Sequence, residues 1–519
     1  MQRIVSNKFV EKIVFALLLL LGIGLRFFML NKSLSGDEFF LIDIIRSFNM
    51  NQAFGVVLSD VHPPLFFISE YAIMKILPEK EFYLRLLPCI CGVCTIIVGL
   101  RILILIYKNC EKCLHWLVGF SIIIFSQPLI AFAQEARPYS QLYLLSILLL
   151  LLSVMKYYYN RNYYRVALLI SIAAVFTHYF GFLYVLSWAI IDIIINHQRA
   201  SSKKSFGLSV ILSPALIVIT TIILIAGFYI LAYKFPGGLT ERIAQQRIPV
   251  TVFTLPKWLA FNLVGHYYFN FVGKMPSRII QLSDIVSNLL LIIPVIILLL
   301  SIITVVILGT RRQKRNDITT ILLLFSFIPF ILALLGNLAG IIPFVREKYL
   351  IGTVVPFLFL FIFLNGYFTR RSAYLLTALL ISLNLYSGYN FYFKSYEVGR
   401  WEHWREATKY IEKQANAEDD IILWYSYSTE PKTHLYNYYS SRSLHHLSLC
   451  NGATCRPDSL ASIEEQFKQK KGSIYFIYYD NQRINCDLDS YALQFLNKKY
   501  REVESNCFGP RLCIYRFIK

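Results

Sequence analysis

Two adjacent carboxylates, Asp37 and Glu38, close the first apolar segment of the chain, and the same loop continues to a second acid and a histidine in Asp60-Val61-His62-Pro63-Pro64. Ionisable groups at the mouth of a membrane helix are costly to keep and usually serve chemistry. A carboxylate at the end of a rigid span can accept a proton from a hydroxyl or amine nucleophile, which makes Asp37 the candidate base. Arg85, Glu135-Ala136-Arg137-Pro138-Tyr139, His178 and Arg346-Glu347-Lys348 follow further along. The planar fork of arginine matches phosphate oxygens, so arginines converging from several segments suit an anionic lipid headgroup. Each has a plainer use as well: an ion pair tying helix ends for Arg85 or Arg346, a loop residue stacked on Pro63 for His62, an interfacial ring for His178. Three separate arginine-bearing segments nevertheless carry more positive charge than tying helices requires.

The elements that must position these groups are membrane helices. The 519 residues are 56% apolar and 16% charged, with mean hydropathy +0.53, against about 25% charged in soluble domains. Uncharged runs such as Ile285–Thr310 and Leu350–Phe368 are long enough to cross a hydrocarbon core of about 30 Å. The net charge of +20 does not point to nucleic acid, because the Lys and Arg residues cluster between hydrophobic runs, as membrane topology dictates.

Arg3, Lys8 and Lys12 mark the cytoplasmic side, and Ile13–Leu30 crosses outward as a retained helix with no small-residue cleavage site after it. The carboxylate loop is therefore outside, with Phe39–Phe48 read as an interfacial amphipathic helix and Leu65–Leu77 as a helix opened by Pro63-Pro64. Spans follow at about Phe82–Tyr107 and Leu114–Ala133, then a fourth returning to Lys156. Two short ones flank Thr177-His178-Tyr179-Phe180-Gly181, and another covers Leu208–Tyr233. The densest basic cluster, Arg311-Arg312-Gln313-Lys314-Arg315, closes the eighth span, and the last, Ala373–Tyr389, exits. The reading is a mostly α, polytopic bundle of about eleven spans with every dense basic cluster on one face, N-terminus inside and C-terminus outside.

Residues 1–390 form the membrane module, with interfacial outer-loop helices within 31–81 and 234–280. Residues 391–519 have the composition of a soluble extracytoplasmic α/β domain of ordinary size. In it, Trp404–Gln414 has helical spacing, Ile421–Tyr425 and Ser473–Tyr479 read as strands, and Asn506–Phe517 reads as a hairpin turning at Gly509-Pro510. Cys450, Cys455, Cys486, Cys507 and Cys513 lie in this domain, where an oxidising compartment favours disulfides; five is odd, and spacing does not fix the pairing. Cys91-x-x-Cys94 and Cys110-x-x-Cys113 sit in or beside spans and lack the polar surroundings of a zinc site.

The order Gly36-Asp37-Glu38, Asp60-Val61-His62-Pro63-Pro64-Leu65, Leu84-Arg85-Leu86-Leu87-Pro88 with Gly92, Gln134-Glu135-Ala136-Arg137-Pro138-Tyr139, Thr177-His178-Tyr179 and Arg346-Glu347-Lys348-Tyr349-Leu350 resembles the GT-C membrane glycosyltransferases. Specifically, it resembles the bacterial branch related to protein O-mannosyltransferases and lipid A aminoarabinose transferases. The resemblance covers about residues 10–390, and Trp404-Arg405-Glu406-Ala407 resembles the start of the family's periplasmic domain. It implies an inverting transfer of a sugar from a polyprenyl-phosphate donor, in the bacterial cytoplasmic membrane, to a glycan, lipid or protein acceptor outside. By the same resemblance Asp37 is the base, with Glu38 in support, and Arg85 contacts the lipid phosphate. The role extends by local motif to Arg137 and Arg346. Tyr139, Lys348, Asp60, His62 and His178 are counted as donor-binding residues. No cofactor is carried over, and the sequence does not support a divalent metal. Two other classes compete: a transporter or flippase for lipid-linked saccharides, and a scaffold binding envelope partners. The first predicts an internal repeat and a polar midplane pathway, whereas the span interiors read as nearly uncharged.

Overall fold

The computed structural model describes residues 8–47, 63–107, 114–201, 209–233, 249–251, 254–268, 292–300, 317–343, 345–364, 370–394, 403–416, 420–425, 436–441, 445–448, 472–479, 488–508 and 512–518. They fall into two compact units. The first contains Met1–Leu30, Asn49–Phe269 and Ile285–Tyr389; the second contains Asn31–Phe48, Asn270–Asp284 and Asn390–Lys519.

The first unit is helical. In chain order its elements are α1 (Lys8–Phe27), α3 (Leu65–Ile76), α4 (Glu81–Leu84), α5 (Leu86–Tyr107), α6 (Leu114–Phe125), α7 (Gln127–Ala133), α8 (Tyr139–Tyr159), α9 (Tyr164–Thr177), α10 (Gly181–Ser201), α11 (Ser209–Tyr233) and α12 (Thr254–Val264). They continue with α13 (Asp317–Leu338), α14 (Val354–Leu364) and α15 (Arg370–Tyr389). Among the described residues, Leu86–Tyr107, Tyr139–Tyr159, Gly181–Gln198 and Ile318–Leu338 are long and apolar enough to cross the bilayer alone, and Trp116–Phe125 with Gln127–Ala133 makes a fifth span bent by 47°. The bend has a local cause. Pro128 occupies the first turn of α7, so it has no N–H to offer the preceding turn and its ring crowds the carbonyl there. The chain is a multi-pass membrane protein.

Close approach holds the bundle together where α5 meets its neighbours. A Cβ on Gly92 would stand 2.6 Å from the Ala133 Cβ, 3.0 Å from the Tyr143 hydroxyl and 3.3 Å from Cδ of Arg26. Small residues let membrane helices pack backbone to backbone in this way. At the other end of α8, the Lys156 ammonium donates to Asp192 at 2.6 Å and to the Tyr164 hydroxyl at 3.1 Å. Tyr164 and the Asn196 amide donate to the second Asp192 oxygen at 3.2 and 3.0 Å. The pair is 4% and 2% exposed, and this ring of donors satisfies it. The spans are thus less empty of charge than the sequence suggested: Arg26, Lys156 and Asp192 are all buried.

The second unit contains α2 (Gly36–Ser47) and the α/β domain, with α16 (Trp404–Gln414), α17 (Leu488–Lys499) and strands β1 (Ile421–Tyr425), β2 (His445–Ser448), β3 (Ile474–Tyr479), β4 (Arg501–Cys507) and β5 (Leu512–Ile518). The sheet order is β2-β1-β3-β5-β4. β1 is parallel to β2 and β3, with Leu423 opposite Phe476, while β5 runs antiparallel to β3 and β4. The inner strands bury Ile422, Leu423, Tyr475, Phe476 and Ile514. A disulfide joins Cys507 to Cys513 across the β4–β5 hairpin. β2 and α17 were not anticipated. Cys110, Cys113, Cys450, Cys455 and Cys486 lie outside the described residues.

Candidate active site

The N-terminal end of α8, the C-terminal end of α9 and the segment before α14 meet around Tyr349. Residues Glu347–Thr353 form a tight 3-10 turn that polar side chains of the spans fix from three sides. The Gly352 amide donates to the Tyr184 hydroxyl at 3.0 Å. The single Thr353 hydroxyl proton lies within reach of the Asn262 side-chain oxygen at 2.9 Å and the Leu350 carbonyl at 2.7 Å. The Trp258 indole donates to the Thr353 hydroxyl at 3.1 Å. This turn therefore has little freedom, which suits a segment that must present charged residues accurately.

On that turn, the Tyr349 ring lies 4.8 Å from His178, 5.2 Å from Phe180 and 6.0 Å from Tyr139, centroid to centroid. The Lys348 ammonium stands over the Tyr139 ring at 4.9 Å and the Tyr349 ring at 5.7 Å, a cation–π arrangement. Burial pushes the Tyr349 hydroxyl above its usual range and the neighbouring Tyr139 adds to this; the positive charges of Lys348, Arg346 and Arg137 pull the other way without cancelling it. Of the residues singled out from the sequence, Tyr139, His178 and Lys348 thus lie against one ring, and the charges of Arg137 and Arg346 act on it. His178 is 4% exposed, and its Nδ1 accepts the Phe180 amide at 3.1 Å. In the neutral ring, the proton is therefore on Nε2.

Arg85 is 1% exposed, sits at the end of α4 and donates through Nη1 to the Leu30 carbonyl at 2.7 Å. That contact ties the end of the first helix to α4. Arg26 and Glu70, both fully buried, were missed. Arg26 donates to the carbonyls of Gly22, Ile124 and Ile123 at 2.9, 3.5 and 3.4 Å. Its signal was legible, since it is the one ionisable residue in the apolar run Ile13–Leu30.

In the second unit, Asp37 and Glu38 open α2, and their environments differ. Ser35 caps the helix. Its amide and hydroxyl donate to Glu38 Oε2 at 3.0 and 3.2 Å, and the Glu38 amide approaches the Ser35 hydroxyl at 3.4 Å. This is a reciprocal capping box, with Glu38 only 1% exposed. Asp37, one position earlier, is exposed. Asp60 and His62 lie outside the described residues. Among the described residues no group of three or more His, Cys, Asp or Glu side chains could hold a metal ion.

The multi-pass helical unit and the small mixed-sheet domain together give a fold already seen in solved structures. Among the structures the chain matches are two of ArnT from Cupriavidus metallidurans. The apo form superposes with a TM-score of 0.53 and the form bound to undecaprenyl phosphate with 0.51, both at 11% identity over 98% of each chain. The archaeal oligosaccharyltransferase AglB from Archaeoglobus fulgidus, in complex with an inhibitory peptide and a dolichol-phosphate, matches more loosely. Its TM-score is 0.43 at 10% identity, over 91% of this chain and 69% of that one. No family model matches the chain and no curated protein sequence matches it significantly.

Proposed function

We propose that this protein is an inverting glycosyltransferase that moves a sugar from a polyprenyl-phosphate donor to an acceptor on the outer side of the bacterial cytoplasmic membrane. The observation that carries the reading is the gathering of Arg137, Arg346 and Lys348 around Tyr349 and Tyr139. It stands in a fold shared with ArnT, which has been crystallised with undecaprenyl phosphate. Lys348 on the turn, Arg346 at its start and Arg137 just before α8 are suited to a lipid phosphate that gains charge as it departs.

In the proposed reaction the acceptor oxygen or nitrogen attacks the anomeric carbon from the face opposite the phosphate. The bond from that carbon to the phosphate oxygen breaks, its electron pair leaves with the lipid phosphate, and the acceptor proton passes to Asp37. Exposure at the first turn of α2 suits Asp37 for this. Glu38 supports it by closing the cap that sets that turn. A retaining double displacement would need two carboxylates about 5 Å apart across the sugar, and Glu38 is turned back to Ser35 instead.

The test uses purified protein, a radiolabelled polyprenyl-phosphate sugar and a membrane extract as acceptor. Asp37→Asn is expected to lower the transfer rate by about a hundredfold or more, with donor binding retained. Wild-type rates from the Asn variant would sink the assignment of the base. No transfer by wild type from any donor would sink the activity itself.

A further inference from the structure

The segment that carries Asp37 is built into the C-terminal domain, although more than 350 residues separate them in sequence. Two anchors precede Asp37. The Arg405 guanidinium donates to the Asn31 carbonyl at 2.6 Å, and the Arg405 amide donates to the Ser33 hydroxyl at 3.3 Å. The Leu34 amide donates to the Tyr439 hydroxyl at 2.8 Å, and Leu34 is fully buried. One anchor lies two residues after Asp37: Phe39, 2% exposed, packs edge-on against Tyr438 at 5.6 Å. At the far end of α2, the Arg46 guanidinium lies over the same Tyr438 ring at 4.8 Å.

These anchors are mechanically one piece. Tyr438 and Tyr439 lie on the helical turn 436–439, and that turn is fixed to α16 by Glu412. Its Oε1 accepts from the Ser440 hydroxyl, the Ser441 amide and the Ser441 hydroxyl at 2.9, 2.6 and 3.1 Å. Arg405 stands on α16 as well, with its guanidinium 5.6 Å from the centre of the Tyr439 ring. A single rigid element therefore holds the chain before and after Asp37 while leaving that carboxylate exposed.

We propose that the C-terminal domain positions the base: Arg405, Tyr439 and Tyr438, carried by α16 and the turn it braces, hold residues 31–39 so that the Asp37 carboxylate keeps a fixed place and direction. The inference rests on the reading of Asp37 as base. Arg405, Tyr438 and Tyr439 are positioning residues, acting on the reaction only through the segment they hold. A base that swings freely loses the geometric advantage of a preset approach, and this loss falls on kcat rather than on donor affinity.

The experiment compares full-length wild type with Tyr439→Phe, Arg405→Met and Arg405→Lys, measuring hydrogen exchange of the peptide covering residues 31–47 and donor-dependent kcat and KM. Tyr439→Phe keeps the ring and removes the hydroxyl that accepts from the Leu34 amide. Exchange in the peptide is expected to rise about tenfold and kcat to fall by a similar factor, with donor KM within about twofold of wild type. Arg405→Met should behave alike, and Arg405→Lys should recover part of the rate, because a lysine can still reach the Asn31 carbonyl. Unchanged exchange in both Tyr439→Phe and Arg405→Met would overturn the anchoring. Faster exchange with an unchanged kcat would overturn the positioning role while leaving the anchoring geometry intact. Asp37→Asn measured in parallel separates the two failures: if it transfers at the wild-type rate, the reading of the base has failed, whatever the anchors do.

Discussion

Around Tyr349, the charges decide what the aromatic rings are for. Rings alone would be ordinary interior packing, but the positive charges of Arg137, Arg346 and Lys348 all act on Tyr349, a setting that favours an anion. Arg346→Gln is therefore expected to lower kcat/KM for the lipid donor by about tenfold to a hundredfold, the worth of one charge-assisted hydrogen bond. Arg346→Lys should recover only part of it, since a point charge does not reproduce the fork. Initial rates against donor concentration check this, and equal kcat/KM in the wild type and Arg346→Gln would remove Arg346 from the donor site. Tyr349 behaves differently. Burial raises its hydroxyl above the usual range, so it stays protonated through neutral pH and beyond. Tyr349→Phe should leave the shape of the pH–rate profile unchanged between about pH 6 and 9, and a lost alkaline limb would show that the hydroxyl titrates in the reaction. At this scale much was legible, because an ionisable residue in an apolar context stands out in any reading. The roles of Asp37 and Glu38 were less so. Ser35-Gly36-Asp37-Glu38 has the S-x-x-E spacing of a capping box, and that spacing, had it been used, would have separated the capping carboxylate from the exposed one.

Helices were legible from apolar runs and proline positions, and strands from alternation, but elements defined by their partners were not. β2 is four residues, His445–Ser448, with little apolar pattern, and it exists as a strand through its parallel pairing with β1. The turn Glu347–Thr353 is set by Tyr184, Asn262 and Trp258 reaching in from other helices. Close packing adds to this: a Cβ on Gly352 would come within 2.4 Å of the Ser146 hydroxyl and 2.7 Å of the Tyr184 ring. Gly352→Ala should therefore push the turn off its seat, costing about 1–3 kcal/mol, with donor affinity lost along with thermal stability. The clamp between α8 and α10 gives a cleaner test. Lys156→Met leaves Asp192 buried without its cation and should destabilise by about 3–5 kcal/mol, whereas Lys156→Met with Asp192→Leu should recover most of the loss. Thermal unfolding in detergent measures both. A double variant as unstable as the single one would mean that the pair matters for more than its mutual charge.

On the scale of the whole molecule, the arrangement hardest to read from sequence is the one on which the proposed chemistry depends. Residues 31–48 follow the first membrane helix directly, yet they belong to the same compact unit as the C-terminal domain. Local periodicity carries no information about contacts between Leu34 and Tyr439 or Asn31 and Arg405, because each end of such a contact looks like an ordinary loop or helix residue on its own. The consequence is that the C-terminal domain is needed for more than choosing an acceptor. A chain ending after Lys394 keeps every helix of the first unit and its internal packing, so it should still enter the membrane. It lacks Arg405, Tyr438 and Tyr439, so the buried Leu34 amide loses its acceptor and Phe39 its packing partner, and segments without such contacts open readily. Such a chain should be cleaved by added protease within residues 31–47 much faster than the full-length protein. It should also transfer less than about a hundredth as much sugar, even to a small soluble acceptor that needs no recognition domain. Transfer to that acceptor at the full-length rate would show that the membrane unit sets Asp37 in place unaided.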